Sequence, residues 1–129
     1  MNITEYKDQF DALKILNPNG YEVYRWMISL GKKLQNDPLS EEKRIDENRV
    51  SRCQFSLFVD WEDGKFKAWS DAMVASGYAY ILLDVFNSAG EDANAITAES
   101  FNQLDMANLL SLNRQNGFYQ MIGMMKEKI

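Results

Sequence analysis

The sequence predicts an α+β fold in which a small antiparallel sheet packs against helices. The first observation is that apolar residues recur at helical spacing in both the first and the last third of the 129-residue chain. The second is an alternation of apolar and polar residues over about 54–69, centred on Asp63-Gly64, a strong signal for a two-residue hairpin turn. The sequence does not decide whether a third strand pairs with this hairpin. The length suits one domain, 1–129.

The first helix is predicted near the start of the chain. Its apolar residues at helical spacing are Ile3, Tyr6, Phe10 and Leu13. The segment 17–20, Asn-Pro-Asn-Gly, should end this helix, because proline and glycine interrupt helical geometry.

A second helix is predicted over about 21–34, and Lys32 and Lys33 suit the negative end of its dipole. Its apolar stripe is Tyr24, Met27, Ile28, Leu30, Gly31 and Leu34. Residues 37–50 are charged and aperiodic, so we expect a surface connection there.

The hairpin has a defined register if Asp63-Gly64 forms the turn. The facing pairs are then Glu62 and Lys65, Trp61 and Phe66, Asp60 and Lys67, Val59 and Ala68, and Phe58 and Trp69. The apolar face comprises Phe55, Leu57, Val59, Trp61, Phe66 and Ala68. A sheet with one apolar face is covered on that side, and by the same alternation Cys53 leans toward the cover.

A third helix is predicted from Ser70-Asp71, which have N-cap chemistry, to about residue 87. Its body is apolar on nearly every side, so it should be the central buried helix. Gly77 within it costs about 1 kcal/mol relative to Ala, which indicates that another backbone passes close by. Further helical segments are predicted over about 98–110 and 116–129. The last one should bury Phe118, Met121, Ile122 and Met125.

Composition excludes several classes of function. A net charge of -5 argues against a nucleic-acid partner, whose phosphates require clustered Lys and Arg. The absence of histidine removes Ser-His-Asp and Cys-His nucleophilic sites and most zinc sites. No apolar run approaches the roughly 20 residues of a membrane span, and no secretion signal is evident, so a cytoplasmic setting is expected.

Cys53 is the single cysteine of the chain. A lone cysteine is commonly a small buried hydrophobe, but this one lies where a loop meets a strand, close behind Arg49 and Arg52, whose charge favours the thiolate. Without a histidine base, the reactions open to it are those of a thiolate alone: disulfide or persulfide exchange, or oxidation to sulfenic acid. A redox sensor is the less favoured of these, because no second cysteine can resolve the oxidised sulfur.

The order of motifs along nearly the whole chain resembles SufE, the sulfur-acceptor family that includes CsdE. The motifs are ENRVSRCQF, then the hairpin, then WSDAM opening an apolar helix, then SLNRQNGF before the final helix. The family patterns LGxxL, ENxVxGCQS, GDSDA and SRxNG have their counterparts in Leu30, Gly31 and Leu34; Glu47, Asn48, Val50, Cys53 and Gln54; Ser70, Asp71 and Ala72; and Arg114, Asn116 and Gly117. Arg52, Phe55 and Trp69 depart from the family's glycine, serine and acid.

The resemblance implies that Cys53 takes sulfur from the persulfide of a SufS- or CsdA-like cysteine desulfurase and passes it to iron–sulfur cluster assembly, including a scaffold complex. It implies that Arg52, Gln54, Asp71 and Arg114 shape the surroundings of the cysteine or the partner surface. No cofactor or metal is then expected on this chain, since the desulfurase carries the pyridoxal phosphate. The alternative is an interaction protein that docks on a desulfurase and regulates it without carrying sulfur.

Overall fold

A computed structural model describes residues 1–16, 21–105 and 110–129 and shows the predicted α+β class. Its longer elements are helices α1 (Ile3–Leu16) and α2 (Tyr21–Leu34), strands β1 (Leu57–Glu62) and β2 (Lys65–Ser70), and helices α3 (Met73–Ala89) and α4 (Leu112–Glu127). Short 3₁₀ turns occupy Glu41–Lys43, Asp46–Asn48, Gly90–Ala95 and Ala98–Leu104. The expected breaker at 17–20 lies outside the described residues. Within them, no helix combines the length and the apolar character that a bilayer span requires.

The hairpin confirms the predicted register in full. Every facing pair from Glu62 and Lys65 to Phe58 and Trp69 is present. Asp63 and Gly64 both have positive φ, 56° and 81°, as a two-residue turn that matches the twist of its strands requires. In the described part of the chain these two strands are the whole sheet, and the third strand is reduced to one antiparallel bridge between Arg49 and Phe58.

The covered face of the sheet is smaller than the alternation predicts. Leu57, Val59, Phe66 and Ala68 are buried, but Trp61 and Phe55 are 46% and 40% exposed. Trp61 lies near the hairpin tip, where its ring contacts Phe66 edge-on at 4.9 Å and its outer side stays open. Phe55 precedes the first paired residue, so strand alternation does not fix its direction.

Helices α2 and α3 cross at two glycines. A Cβ atom on Gly77 would clash with the carbonyl oxygen of Met27 and lie 2.7 Å from its Cγ. A Cβ atom on Gly31 would lie 2.6 Å from the carbonyl oxygen of Met73. The close backbone approach predicted at Gly77 is therefore confirmed, and α3 is buried along most of its length as expected.

The buried face of α2 and the central connection differ from the sequence prediction. Val23, not Tyr24, joins the buried stripe of α2, because spacings of four and three residues run from it through Met27 and Leu30; Tyr24 is 49% exposed. In the 37–50 connection, Leu39 and Val50 are fully buried, so this segment is part of the core as well as of the surface. The buried set predicted for the last helix is confirmed.

Helix boundaries also differ. Helix α3 begins at Met73 with Ala72 as its N-cap, because the Ser70 hydroxyl accepts from the Ala72 N–H at 3.1 Å and forms a turn before the helix. Helix α4 begins at residue 112, where the Ser111 hydroxyl accepts the Arg114 N–H at 3.4 Å. Over 98–110 the structure has a 3₁₀ segment, Ala98–Leu104, in place of an α-helix, and residues 106–109 lie outside the described residues.

Candidate functional site

Residues 51–56, here called the cysteine loop, form a closed excursion just before β1. The Val50 N–H donates to the Leu57 carbonyl oxygen at 2.8 Å and closes the base of the loop. Inside it, the Cys53 N–H donates to the Val50 carbonyl oxygen at 3.1 Å. Val50 and Leu57 are fully buried, so the base is fixed in the core while the loop above it lies outside any helix or strand.

Asp71 holds one side of the cysteine loop. Its carboxylate accepts the Ser56 N–H at 3.1 Å, and its own N–H donates to the Ser56 carbonyl oxygen at 3.3 Å. Asp71 was predicted to cap α3, and that prediction is wrong: the carboxylate binds the loop instead of the helix. The residue therefore connects the start of α3 to the cysteine loop.

Gln120 on α4 holds the other side of the loop. Its Oε1 accepts the Arg52 N–H at 2.6 Å, and its Nε2 donates to the Ser51 hydroxyl at 2.8 Å. Sequence reasoning missed this residue, because a glutamine on a helix face carries no local signal of its partner. The cysteine loop is thus tied to two different helices.

Cys53 lies in the wall of a cavity of about 460 Å³ and is 7% exposed. The same cavity is lined by Gln54, Asp71 and Arg114, so the structure brings four of the five candidate site residues together. The remaining wall includes Tyr24, Phe55, Ala72, Met73, Val74, Ala75 and Asn113. Tyr24 and Phe55, both about half exposed, thus form an aromatic rim that the sequence patterns assigned to the core.

Arg52 does not line the cavity. It is exposed, and its backbone rather than its side chain makes the bond to Gln120. Its φ lies outside the left-handed region, so arginine in place of the family's glycine introduces no backbone strain here. Arg49 lies over the Phe58 ring at 5.9 Å, and the positive charge in the cavity wall is therefore that of Arg114.

The group on the core side of Cys53 is Tyr78 of α3. Burial raises the pKa of the Tyr78 hydroxyl well above the usual range of a tyrosine, Cys53 beside it raises that pKa further, and Arg114 acts in the opposite direction. Within the described residues, no three acidic or cysteine side chains are grouped closely enough to hold a metal ion. What the site offers is a single sulfur with one cation, one carboxylate and a buried phenol around it.

Removing the tie to α4 should make Cys53 more reactive. We expect Gln120→Ala to speed alkylation of Cys53 by iodoacetamide about fivefold, because two hydrogen bonds in a partly solvated place contribute about 1 kcal/mol to the closed loop. The measurement is the rate of mass increase of the folded protein. Gln103→Ala is the matched control, since that amide binds within its own turn. Equal rates in both variants would contradict the role given to Gln120.

Comparison with known proteins identifies the family. A model of SufE, described as the Fe-S metabolism associated domain, matches residues 7–129. An uncharacterized SufE-like protein of Rhizobium etli is 32% identical over 117 residues, which cover 81% of this chain and 76% of that protein. An uncharacterized SufE-like protein of Synechocystis is 30% identical over 110 residues, 81% of this chain and 68% of that protein. The motifs, the fold and these matches agree, and the chain belongs to the SufE family of iron–sulfur metabolism.

Proposed function

We propose that this protein accepts sulfur on Cys53 from the persulfide of a cysteine desulfurase and passes it on to iron–sulfur cluster assembly. The observation that carries the proposal is the placement of the cysteine. Its sulfur is nearly enclosed, yet it lies on a loop held by a few hydrogen bonds and faces a cavity that contains Asp71 and Arg114. A purely structural cysteine would need neither the cavity nor the loop.

The transfer is an exchange between sulfur atoms. The Cys53 thiolate attacks the terminal sulfur of the desulfurase persulfide, a new sulfur–sulfur bond forms on Cys53, and the donor bond breaks. The desulfurase cysteine leaves as a thiolate, so electrons balance without an added oxidant or reductant. No histidine base takes part in this exchange, because the thiolate is itself the nucleophile. Arg114 in the cavity wall supplies a positive charge on the side from which a persulfide anion would enter.

The closed loop protects the sulfur between transfers. Enclosure limits oxidation and loss of the persulfide, both of which depend on access. Opening requires the hydrogen bonds to Asp71 and Gln120 to break, at about 0.5 kcal/mol each in a partly solvated place. A partner that binds the open loop can offset a cost of this size. The exposed Tyr24 and Phe55 at the cavity rim give such a partner apolar surface beside the cysteine.

The proposal implies a division of labour. The desulfurase, SufS- or CsdA-like, carries the pyridoxal phosphate, and this chain carries only sulfur. A cytoplasmic, reducing setting would keep Cys53 free between cycles. The recipient would be an iron–sulfur scaffold, which takes the sulfur from the loaded loop.

Intact-mass spectrometry tests the proposal directly. After incubation with a cysteine desulfurase and cysteine, the wild-type protein should gain the mass of one sulfur atom, and a thiol reductant should remove it. Cys53→Ser should gain nothing and should no longer accelerate sulfide release. If the wild type gains no sulfur, and both proteins accelerate the desulfurase equally, the protein is a regulator and not a carrier.

A further inference from the structure

Tyr78 has an unusual position for a tyrosine. Its side chain is 0% exposed, in the middle of the central helix α3. Within the described part of the chain, its hydroxyl makes no hydrogen bond of ordinary geometry, and the polar group beside it is the sulfur of Cys53. A buried hydroxyl without a partner is unfavourable, and phenylalanine would fill the same space without this penalty. Packing of the core therefore does not account for a hydroxyl at this position.

The hydroxyl and Cys53 border the same small space. Gly117 of α4 shows this, because a Cβ atom there would lie 2.6 Å from the Tyr78 oxygen and 3.3 Å from the Cys53 Cβ. The tyrosine ring is held edge-on against Phe118, with 5.9 Å between ring centroids. Its hydroxyl thus has a fixed position on the core side of the cysteine, opposite the cavity.

We infer that Tyr78 is a positioning residue whose hydroxyl donates a hydrogen bond to the sulfur of Cys53 when that sulfur is a thiolate. A thiolate is a far better acceptor than a neutral thiol, so the bond forms when the attacking species forms. This explains why a hydroxyl without a partner is kept in the core. The inference rests on the proposed function for its purpose, but its test measures only Cys53 and uses no desulfurase.

The donor is available over the working pH range. Burial first, and then the neighbouring Cys53, raise the pKa of Tyr78, so the phenol keeps its proton wherever the thiol titrates. Among the described residues, the charged or titratable side chains that line the cavity beside Cys53 are Arg114 of α4, Asp71 just ahead of α3, and Tyr24 of α2. A change confined to the Tyr78 hydroxyl leaves all three in place.

The test is the pH dependence of Cys53 alkylation in Tyr78→Phe. Cys53 is the single cysteine, so iodoacetamide reports on this sulfur alone. We expect the midpoint of the rate profile to rise by about one pH unit, equal to tenfold less thiolate below the midpoint, because one hydrogen bond to the ionised form is lost. Thermal stability should be unchanged or higher. A merely structural tyrosine would leave the midpoint where it is.

Tyr80→Phe is the matched control. It lies on the same helix and is partly buried, but its ring lies against Lys33 at 5.9 Å and not against the cysteine. Its midpoint should equal that of the wild type. If Tyr78→Phe and Tyr80→Phe both match the wild type, the inference is wrong.

A second variant keeps the test decisive if Tyr78→Phe does not fold. Protein made with 3-fluorotyrosine at all six tyrosines has more acidic phenols, which are stronger hydrogen-bond donors. The pH midpoint of its Cys53 alkylation should fall below that of unlabelled protein. Labelled Tyr24→Phe, which lacks the phenol in the cavity wall, should show the same fall relative to unlabelled Tyr24→Phe. An unchanged midpoint, or a fall that disappears in Tyr24→Phe, would overturn the role of Tyr78.

Discussion

Gly77→Ala should lower the free energy of unfolding by about 2 kcal/mol. The new methyl group would clash with the Met27 carbonyl oxygen, which belongs to the backbone of α2 and cannot rotate away. Relieving the clash requires α2 and α3 to separate along their shared core, and overpacking against a backbone atom lies at the upper end of the usual cost, about 3 kcal/mol. The gain in helix propensity from Gly to Ala returns only about 1 kcal/mol. Urea denaturation followed by circular dichroism measures the net change.

Gly123→Ala is the control for this prediction. Gly123 is a helical glycine of α4 that is exposed, and a Cβ atom there would meet nothing within 4 Å. The same substitution should therefore raise the free energy of unfolding by up to about 1 kcal/mol. Opposite signs for the two variants are the expected result. Stabilisation by Gly77→Ala would show that the two helices are not in close contact at this point.

Gly117→Ala should increase the alkylation rate of Cys53 about tenfold. A methyl group there would lie 2.6 Å from the Tyr78 hydroxyl and 3.3–3.4 Å from Cβ and Cα of Cys53. The tyrosine is enclosed by the core, so the cysteine loop is the part that must move. A displacement that costs the closed loop about 1.4 kcal/mol raises the open population tenfold.

Comparison of Gly117→Ala with Gly123→Ala separates opening of the cysteine loop from destabilisation of the whole fold. Gly123→Ala, on the same helix, should leave the alkylation rate unchanged because its methyl group would point into solvent. Gly117→Ala should keep its helical circular dichroism while it reacts faster. An unchanged rate in folded Gly117→Ala would mean that the core yields instead of the loop, and that Gly117 does not control access to the sulfur.

The hairpin shows what local chemistry alone determines. Asp63-Gly64 allows positive φ at both turn positions, and the alternation on either side then sets every pair from Trp61 and Phe66 to Phe58 and Trp69. The same alternation wrongly placed Trp61 in the core. Periodicity predicts the side of a sheet, but whether that side is covered depends on where the neighbouring helices end.

The candidate site was partly predictable. Cys53, Asp71 and Arg114 were selected from separate motifs, and the fold brings all three to one cavity. Tyr78 and Gln120 were not selected, because a hydroxyl or amide becomes informative only when its neighbours in space are known. Nothing near them in the chain indicates that one lies beneath the cysteine and the other ties down its loop.

The hydrogen bonds from Asp71 and Gln120 couple the position of the cysteine loop to two helices. Asp71 stands at the start of α3 and Gln120 in the middle of α4, so a shift of either helix pulls on the segment that carries the sulfur. A protein that binds α4 at a distance from the cavity would thereby change the exposure of Cys53 without contacting it. The reactivity of the cysteine is then coupled to the position of two different helices.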